Sequence, residues 1–447
     1  MKLKLQQLLF GALLTAFFPV SLFSQMFAYV TNYYDNSVSV LDTSTNMVVA
    51  TIGVGIGPWG IAITPDGSRA YVANFSSNDV SVVNTSGNTV VATIAVGPYP
   101  AGVAITPDGT RVYVTNWGDY APSSLSVIDT SSNTVVATVA VGIYPRSVAI
   151  TPDGRRAYLL CSGSPNLTVV DTASNSVVAT VNLSAWELAL APDGTRAYLT
   201  GSPNLLVVDT TNNTVISMVD LGSDLYGVAI NPAGTRAFVT HYQSNNLSVV
   251  DTASASVVST VDVGSGAYEV AVTPDGTRAY VTHFYSNSVS VVDTLNNTLV
   301  AEVAIGNEPL GVAITPLVPF SAFSAKLDVY AATPTTPANF SLNAAFTLGA
   351  GSKGINPATQ PVTLQVGTYE VTIPAGSFRA NKKGVFTYSG TLGGVSLQAH
   401  IGPTRANAYR LQVTATGASI GTAANPVTVK LNIGANAGLT SATAVFH

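Results

Sequence analysis

Short runs of apolar residues, many of them alternating with polar ones, fill most of the chain, and the repeated part shows no helical spacing. Val, Thr, Ile and Tyr dominate the runs, as in RVYVTN at residues 111–116 and SLSVID at residues 124–129. Such residues suit a pleated, half-buried surface. Turn-forming strings, T-P-D-G and S-x-N-T, separate the runs. The pattern predicts an all-β chain.

The runs recur in groups of four, here called strands a, b, c and d. Residues 102–142 hold one group in the order GVAI, RVYVTN, SLSVID and TVVATVA. An Asp or Asn ends strand c in every group, at Asp42, Asn84, Asp129, Asp171, Asp209, Asp251 and Asp293. The steps between these positions are 42, 45, 42, 38, 42 and 42 residues. That spacing is typical of a four-stranded propeller blade.

The order of the strands predicts how the ring closes. The repeats begin with a strand b at Ala28 and end with a strand a at residues 311–315, so that each strand type occurs seven times. The last strand a can then complete the sheet begun by the first b, c and d, which leaves no open edge between the ring's two ends. We therefore predict a seven-bladed β-propeller over residues 26–319.

Two repeated strings carry a family resemblance. TPDGTRVYVTN at residues 106–116 and VIDTSSNTVVATVAVG at residues 127–142 resemble the YVTN-type propeller repeats of bacterial and archaeal surface and secreted proteins. The fold also resembles lactonase-like seven-bladed propellers. The resemblance covers about 290 residues and implies the fold. It leaves several functions open, because one scaffold hosts many activities.

Segments at both ends of the chain lie outside the repeats. Residues 1–25 combine Lys2 and Lys4 with an apolar run of about 13 residues, shorter than the roughly 20 that span a bilayer, which predicts a cleaved signal peptide and export to the periplasm, the cell surface or the medium. No later stretch is long and apolar enough to span a membrane. Residues 320–447 continue with short strand-like runs, and we expect an immunoglobulin-like β-sandwich there.

Composition excludes several classes of function. The formal charge of −5 argues against nucleic-acid binding, and a single cysteine excludes a disulfide framework and multi-cysteine metal sites. Residues 26–319 carry 8 basic and 21 acidic side chains, whereas residues 320–447 carry 8 and 2. The opposite signs favour docking between the two parts, or of the second part onto an acidic envelope surface.

Arginines open strand b in most repeats and lie beside the Asp that ends strand c. Because strands b and c are antiparallel neighbours, we expect five ion pairs, namely Arg111–Asp129, Arg156–Asp171, Arg196–Asp209, Arg236–Asp251 and Arg278–Asp293. The alternative is a basic ring that binds anions. The pairing is the preferred interpretation, because each arginine has its own acid.

The b–c and d–a loops vary in length between repeats and lie at one face of the ring, which suggests a binding face. The first positions of the strands a surround the central channel there. They are Trp59, Ala101, Arg146, Trp186, Tyr226, Tyr268 and Leu310, and the next position is glycine by default but Glu187 and Glu269 in two repeats. His241 and His283 end two strands b at the same face, and an insertion in the third b–c loop adds Trp117 and Tyr120.

These residues predict a ligand-binding site at the channel mouth, because aromatic walls with a few polar groups bind sugars, quinones or peptide side chains. Catalytic motifs such as G-x-S-x-G and H-E-x-x-H do not occur. We expect no cofactor and no metal, and Cys161 is interpreted as a buried apolar residue. The favoured function is an exported, non-catalytic binding protein for a protein, glycan or small molecule. A lactonase-like hydrolase or isomerase and a structural surface-layer component remain alternatives.

Overall fold

The computed structural model describes residues 26–118, 123–316 and, with short gaps, 318–446; in the last part these are 318–330, 338–348, 355, 357–358, 362–366, 369–374, 376–405, 407–418, 427–433, 436–442 and 444–446. The predicted signal peptide at residues 1–25 and Tyr120 lie outside the described residues. None of the described residues forms a helix long and apolar enough to cross a membrane.

Residues 27–314 form seven separate four-stranded antiparallel sheets, the blades, as the repeats predict. Strands a are Pro58–Ile63, Pro100–Ile105, Pro145–Ile150, Leu188–Leu190, Leu225–Ile230, Ala267–Val272 and Pro309–Ile314. Strands b are Phe27–Asn32, Arg69–Asn74, Arg111–Asn116, Arg156–Cys161, Arg196–Thr200, Arg236–His241 and Arg278–His283. Strands c are Ser37–Asp42, Asp79–Asn84, Ser124–Asp129, Asn166–Asp171, Asn204–Asp209, Asn246–Asp251 and Ser288–Asp293. Strands d are Met47–Gly53, Thr89–Ala95, Thr134–Ala140, Ser176–Asn182, Thr214–Asp220, Ser256–Asp262 and Thr298–Ala304.

The ring closes through blade 1, whose strand a comes from the far end of the repeats. Pro309–Ile314 pairs antiparallel with Phe27–Asn32, with Val30 opposite Val312. Beyond these strands the Thr315 amide donates to the Phe27 carbonyl at 2.9 Å, and the Phe27 amide donates to the Thr315 hydroxyl at 2.9 Å. The predicted closure is therefore confirmed, and the first and last blades leave no unpaired edge between them.

Neighbouring blades are joined by a repeated hydrogen bond between strand b and the next c–d turn. The Tyr29 hydroxyl donates to Asn88 Oδ1 at 2.8 Å, and the Tyr280 hydroxyl donates to Asn46 Oδ1 at 3.1 Å across the closure. These turn asparagines have a positive φ, 49° at Asn88 and 54° at Asn46, a conformation that asparagine tolerates better than most residues. The asparagine of this turn therefore shapes the turn and accepts a hydrogen bond from the previous blade.

Blade 6 lacks this hydrogen bond, which yields a prediction about stability. Its strand b carries Phe238 in place of tyrosine, and the Asn297 Oδ1 of the next blade is buried without a hydrogen-bond partner. We expect Phe238→Tyr to raise the free energy of unfolding by about 1 kcal/mol, because the new hydroxyl would satisfy this oxygen. Urea denaturation measures the change. The matched variant is Tyr113→Phe, which should lower stability by about the same amount because it leaves Asn175 Oδ1 without its donor. A loss of stability in Phe238→Tyr would contradict the argument.

Three of the five expected ion pairs form. Arg111 pairs with Asp129, Arg236 with Asp251, and Arg278 with Asp293. The expectation is wrong for the two remaining arginines. Arg156 donates to the Thr210 carbonyl at 3.3 Å and Arg196 donates to the Thr252 carbonyl at 3.2 Å, both in the following blade. A carbonyl of the adjacent blade lies within reach of the guanidinium, and the packing of one blade against the next places it there.

Residues 318–446 form an all-β region. Its strands are Val318–Tyr330, Asn339–Leu348, Val362–Val366, Tyr369–Ile373, Arg379–Ala380, Phe386–Leu392, Val395–Arg405, Ala408–Thr416, Val427–Ile433, Asn436–Ala442 and Ala444–Phe446. Strand Val318–Tyr330 links two groups of strands, because its first residues pair with Asn436–Ala442 and its later ones with Asn339–Leu348. Side chains of both groups share one buried core.

Candidate functional site: the hub and the aromatic face

The strands a of six blades enclose a cavity of about 130 Å³ at the hub of the propeller. Near its start, most strands a pass close to the backbone of the next blade, which is why glycine recurs at this position of the strand. A Cβ added at Gly102 would lie 2.5 Å from the Arg146 carbonyl oxygen, and one at Gly311 would lie 2.5 Å from the Trp59 carbonyl oxygen. Glu187 and Glu269 replace this glycine in blades 5 and 7, and both carboxylate residues line the cavity.

Arg146 occupies the space between the ring aromatics. Its guanidinium carbon lies 4.5 Å from the ring centre of Tyr226, 5.3 Å from Trp59, 5.7 Å from Trp186 and 5.9 Å from Tyr268. Its Nη2 donates to the Tyr268 hydroxyl at 2.6 Å, and the side chain is only 7% exposed. Each such cation–π contact contributes about 1–2 kcal/mol when the cation is desolvated. The four aromatic residues of the predicted ring thus surround Arg146, so that a residue of the protein itself occupies the space between them.

Both glutamates at the hub have raised pKa values. Burial is the main cause that raises the pKa of Glu269, and the charge of Glu187 raises it further. Burial also raises the pKa of Glu187, opposed by a hydrogen bond from the Ser147 hydroxyl and by the positive charge of Arg146. One guanidinium thus faces two carboxyl groups in a single cavity. A single positive charge stabilises the state with one ionised carboxylate more than the state with two.

A set of aromatic rings, joined by contacts between rings or through Arg146, surrounds the hub on the side of the b–c and d–a loops. We call it the aromatic face; it comprises Tyr33, Tyr34, Trp59, Phe75, Tyr99, Trp117, Tyr144, Trp186, Tyr226, Tyr242, Tyr268, Phe284 and Tyr285. Two arcs of rings meet where Trp59 lies 6.5 Å from Tyr268. The face contains all three tryptophans of the chain. Its outermost rings are open to solvent, with Trp186 43% and Tyr285 61% exposed.

Several rings of this face were not among the predicted site residues. Tyr33, Phe75, Tyr242 and Phe284 each directly follow strand b. Trp117 occupies the same position in blade 3, so the first residue of the b–c loop is aromatic in five of seven repeats. Aligning the repeats at this position would have found them. The predicted insertion residue Trp117 belongs to the face, and its ring lies 6.4 Å from Trp59 and 5.5 Å from Tyr144.

The two histidines do not join the channel mouth, and the expectation that they converge there is wrong. His241 is buried, and its Nε2 lies 2.8 Å from the Ser248 hydroxyl on strand c of the same blade. His283 is fully buried, and neither ring nitrogen has a hydrogen-bond partner. Burial lowers the pKa of His283 to about 4. Both replace the asparagine that ends strand b elsewhere, as at Asn116, whose amide donates to Ser126 at 2.8 Å. Both side chains are therefore buried and do not line the hub cavity.

Cys161 ends strand b of blade 4 in the same way. It is buried, its sulfur lies 3.8 Å from the Thr168 hydroxyl, and burial raises the pKa of its thiol. A raised pKa disfavours the reactive thiolate. These properties agree with its interpretation as a buried apolar residue.

The aromatic face carries negative charge around its rings. None of the b–c or d–a loops contains lysine or arginine in its sequence, whereas Asp35, Asp224 and Glu308 lie in described parts of them. The strand ends that border the same face add Asp79, Asp220 and Asp262. Among the described residues, the cationic side chain that contacts these rings is the buried Arg146. The electrostatic field at this face therefore favours ligands that are neutral or positively charged.

Comparison with known proteins relates part of the propeller to one sequence family. The sequence profile of a family described as "Lactonase, 7-bladed beta-propeller" matches residues 35–182. The matched residues lie within the seven-bladed β-propeller that residues 27–314 form. No curated protein matches the chain.

Solved structures resemble this propeller in fold. Hydrazine synthase from Kuenenia stuttgartiensis is similar with 24% identity and a TM-score of 0.56, over 64% of this chain and 99% of that one. A functionally unknown protein from Desulfotomaculum acetoxidans is similar with 19% identity and a TM-score of 0.58, over 64% and 98% of the two chains. The dihydro-heme d1 dehydrogenase NirN in complex with DHE is 17% identical with a TM-score of 0.50, over 64% and 74%. At these identities the likeness concerns the fold alone.

Proposed function

We propose that the protein is an exported, non-catalytic binding protein that presents the aromatic face of its propeller to a ligand or partner. The observation that carries this proposal is the set of thirteen aromatic rings gathered on one face. Exposed aromatic side chains provide large contact areas at low cost in conformational entropy, and they dominate the energetics of binding surfaces.

The ligand chemistry is inferred from the same face. Flat rings stack on the faces of sugars or on apolar side chains, and the surrounding acids attract positive charge. We therefore propose a glycan, a protein or a small molecule without net negative charge as the ligand. Export and a role at the periplasm, cell surface or medium belong to this proposal and rest on the predicted signal peptide at residues 1–25.

The test of this proposal is a binding screen with a matched pair of variants. Glycan arrays and thermal-shift panels of amines and peptides identify a ligand, and titration then measures its affinity. We expect Trp186→Ala to weaken binding about tenfold or more, because this exposed ring lies at the mouth beside Arg146.

Leu295→Ala is the control for this experiment. Leu295 is 86% exposed and lies in a c–d turn, on the opposite face. Its substitution should leave the affinity unchanged. Equal loss in both variants, or full affinity in Trp186→Ala, would exclude the aromatic face as the binding surface.

A lactonase-like hydrolase or isomerase is the second candidate function. The two glutamates at the hub favour this candidate. Glu187 and Glu269 have raised pKa values beside Arg146, and a protonated carboxyl group can serve as a general acid. Against it stand the cavity of about 130 Å³, smaller than the roughly 300 Å³ of typical ligand sites, and the position of Arg146 in the mouth. Lactone turnover that Glu187→Gln abolishes would favour the enzyme.

We also propose that the C-terminal region is an immunoglobulin-like β-sandwich appended to a YVTN-type surface propeller. Its two groups of strands share one core, as the two layers of a sandwich do. A structural surface-layer role is the remaining alternative, and microscopy of ordered arrays on cells would favour it.

A further inference from the structure

The last part of the chain has a one-sided charge. Residues 371–447 contain six lysines and arginines and no aspartate or glutamate. A stretch of this length without any acid lacks the mixture of signs that is common on soluble protein surfaces. Its cations therefore have no acidic neighbours along the chain that could neutralise them.

The sheet register brings five of these cations to one end of the region. Arg379 lies in a two-residue strand opposite Thr387, and Lys382 and Lys383 lie in the hairpin that comes next. On the neighbouring strands Arg405 lies opposite Ala408, and Arg410 lies opposite Gly402. Phe386 pairs with Ile401, which places the hairpin beside residues 402–405. We call these five residues the basic end.

All five side chains of the basic end are exposed. None of them forms an ion pair with another described residue. Adjacent strands lie about 4.8 Å apart, so cations spread over four neighbouring strands cover a width of roughly 15 Å. One phosphate ion would contact only one or two of them. The arrangement suits an array of anions better than a single anion.

We propose that the basic end binds the anionic phospholipid headgroups of an envelope membrane. Clusters of four to eight lysines and arginines attract such surfaces, and the attraction grows with each added cation. The propeller of a second copy offers fewer free anions. Many of its acids, such as Asp129 and Asp293, already accept hydrogen bonds within their own turns and pair with arginines. The proposal uses different residues from the aromatic face and holds or fails independently of it.

Vesicle sedimentation tests the proposal with the chain from Met26 to His447, because the apolar segment before Met26 would itself enter bilayers. We expect the protein to sediment with vesicles of phosphatidylcholine that contain about one third phosphatidylglycerol, and not with pure phosphatidylcholine. Binding should be lost when the salt concentration rises from about 0.05 M to 0.5 M, because added salt screens exposed charges. Lys382→Gln/Lys383→Gln should lower the partition coefficient about tenfold to thirtyfold.

The control variant removes two positive charges elsewhere. Arg155 lies in an a–b turn of the propeller, and Lys326 lies in the middle of strand Val318–Tyr330; both are exposed. Arg155→Gln/Lys326→Gln should change the partition coefficient by less than about twofold. Absence of binding to the phosphatidylglycerol vesicles at low salt would overturn the proposal, as would equal losses in the two double variants. Sedimentation velocity without lipid adds a further criterion, because self-association that depends on Lys382 and Lys383 would assign the basic end to a second copy instead.

Discussion

Replacing Arg146 by methionine should lower the free energy of unfolding by about 3–5 kcal/mol at pH 8. The variant keeps an apolar side chain of similar length but leaves Glu187 and Glu269 without their cation in the hub cavity. It also removes the donor to the Tyr268 hydroxyl and the contacts with four aromatic rings. Urea denaturation at two pH values measures the loss.

The loss should shrink as the pH falls, which separates this charge effect from simple loss of packing. The folded-state pKa values of Glu187 and Glu269 are raised. Each therefore contributes stability that is fully present below the unfolded pKa of about 4.3 and is lost as the pH rises through the folded value. At pH 5 a larger fraction of both groups is protonated than at pH 8, so that they need the guanidinium less. An equal loss at pH 5 and pH 8 would contradict the argument.

Two further variants serve as controls for this measurement. Glu269→Gln should raise the free energy of unfolding by about 1–2 kcal/mol at pH 8 and leave it nearly unchanged at pH 4, because the amide needs no counter-ion. Arg155→Met removes an arginine whose side chain is 83% exposed and should cost less than about 0.5 kcal/mol.

Truncation of the chain should separate the propeller from the C-terminal region. A chain that ends after Pro316 keeps strand Pro309–Ile314 and is expected to unfold in a single cooperative transition. A chain that ends after Glu308 loses this strand, and its stability should fall by about 5 kcal/mol or more. The missing strand buries Leu310 and Val312 and pairs with Phe27–Asn32. Two buried side chains contribute about 1.5–3 kcal/mol each, and each lost hydrogen bond adds about 1 kcal/mol.

Circular dichroism melts and limited proteolysis of the two chains measure the difference. The longer chain should resist protease, whereas the shorter one exposes the edge of blade 1 and should be cleaved first near residues 27–53. Equal stability of the two chains would mean that the ring does not depend on its closing strand. Instability of both would mean that residues 317–447 are needed to hold the propeller together.

Residue patterns within one repeat were enough to predict the blades. Strands b and c are neighbours in the chain and in the sheet, so the string RVYVTN and the Asp that ends strand c predict three ion pairs correctly. The prediction is wrong where the partner lies in another blade. Arg156 and Arg196 bind carbonyl groups of residues more than 50 positions away, and no pattern within one repeat contains that information.

For the candidate site, too, the repeats predicted the position of residues but not every side-chain contact. Alignment of the repeats placed Trp59, Tyr226 and Tyr268 around one channel, because equivalent positions of equivalent strands must form a ring. It placed His241 and His283 at the mouth as well, since it carries no information on where a side chain points. In the structure both imidazoles are buried, and His241 contacts Ser248 on strand c of its own blade. The rings of Tyr33, Phe75 and Phe284 extend the aromatic face beyond the predicted ring.

By itself the sequence determined the all-β class, the seven repeats and the strand that closes the ring, because these depend on local strand and turn preferences that recur in register. Only the tertiary structure decided that Arg146 crosses the hub to Tyr268, 122 positions away, and that two acids share its charge. It also brought five cations of the C-terminal region to one end of a sheet. Contacts of this kind depend on ring closure and strand pairing across the whole chain, and burial then sets the electrostatic strength of each contact.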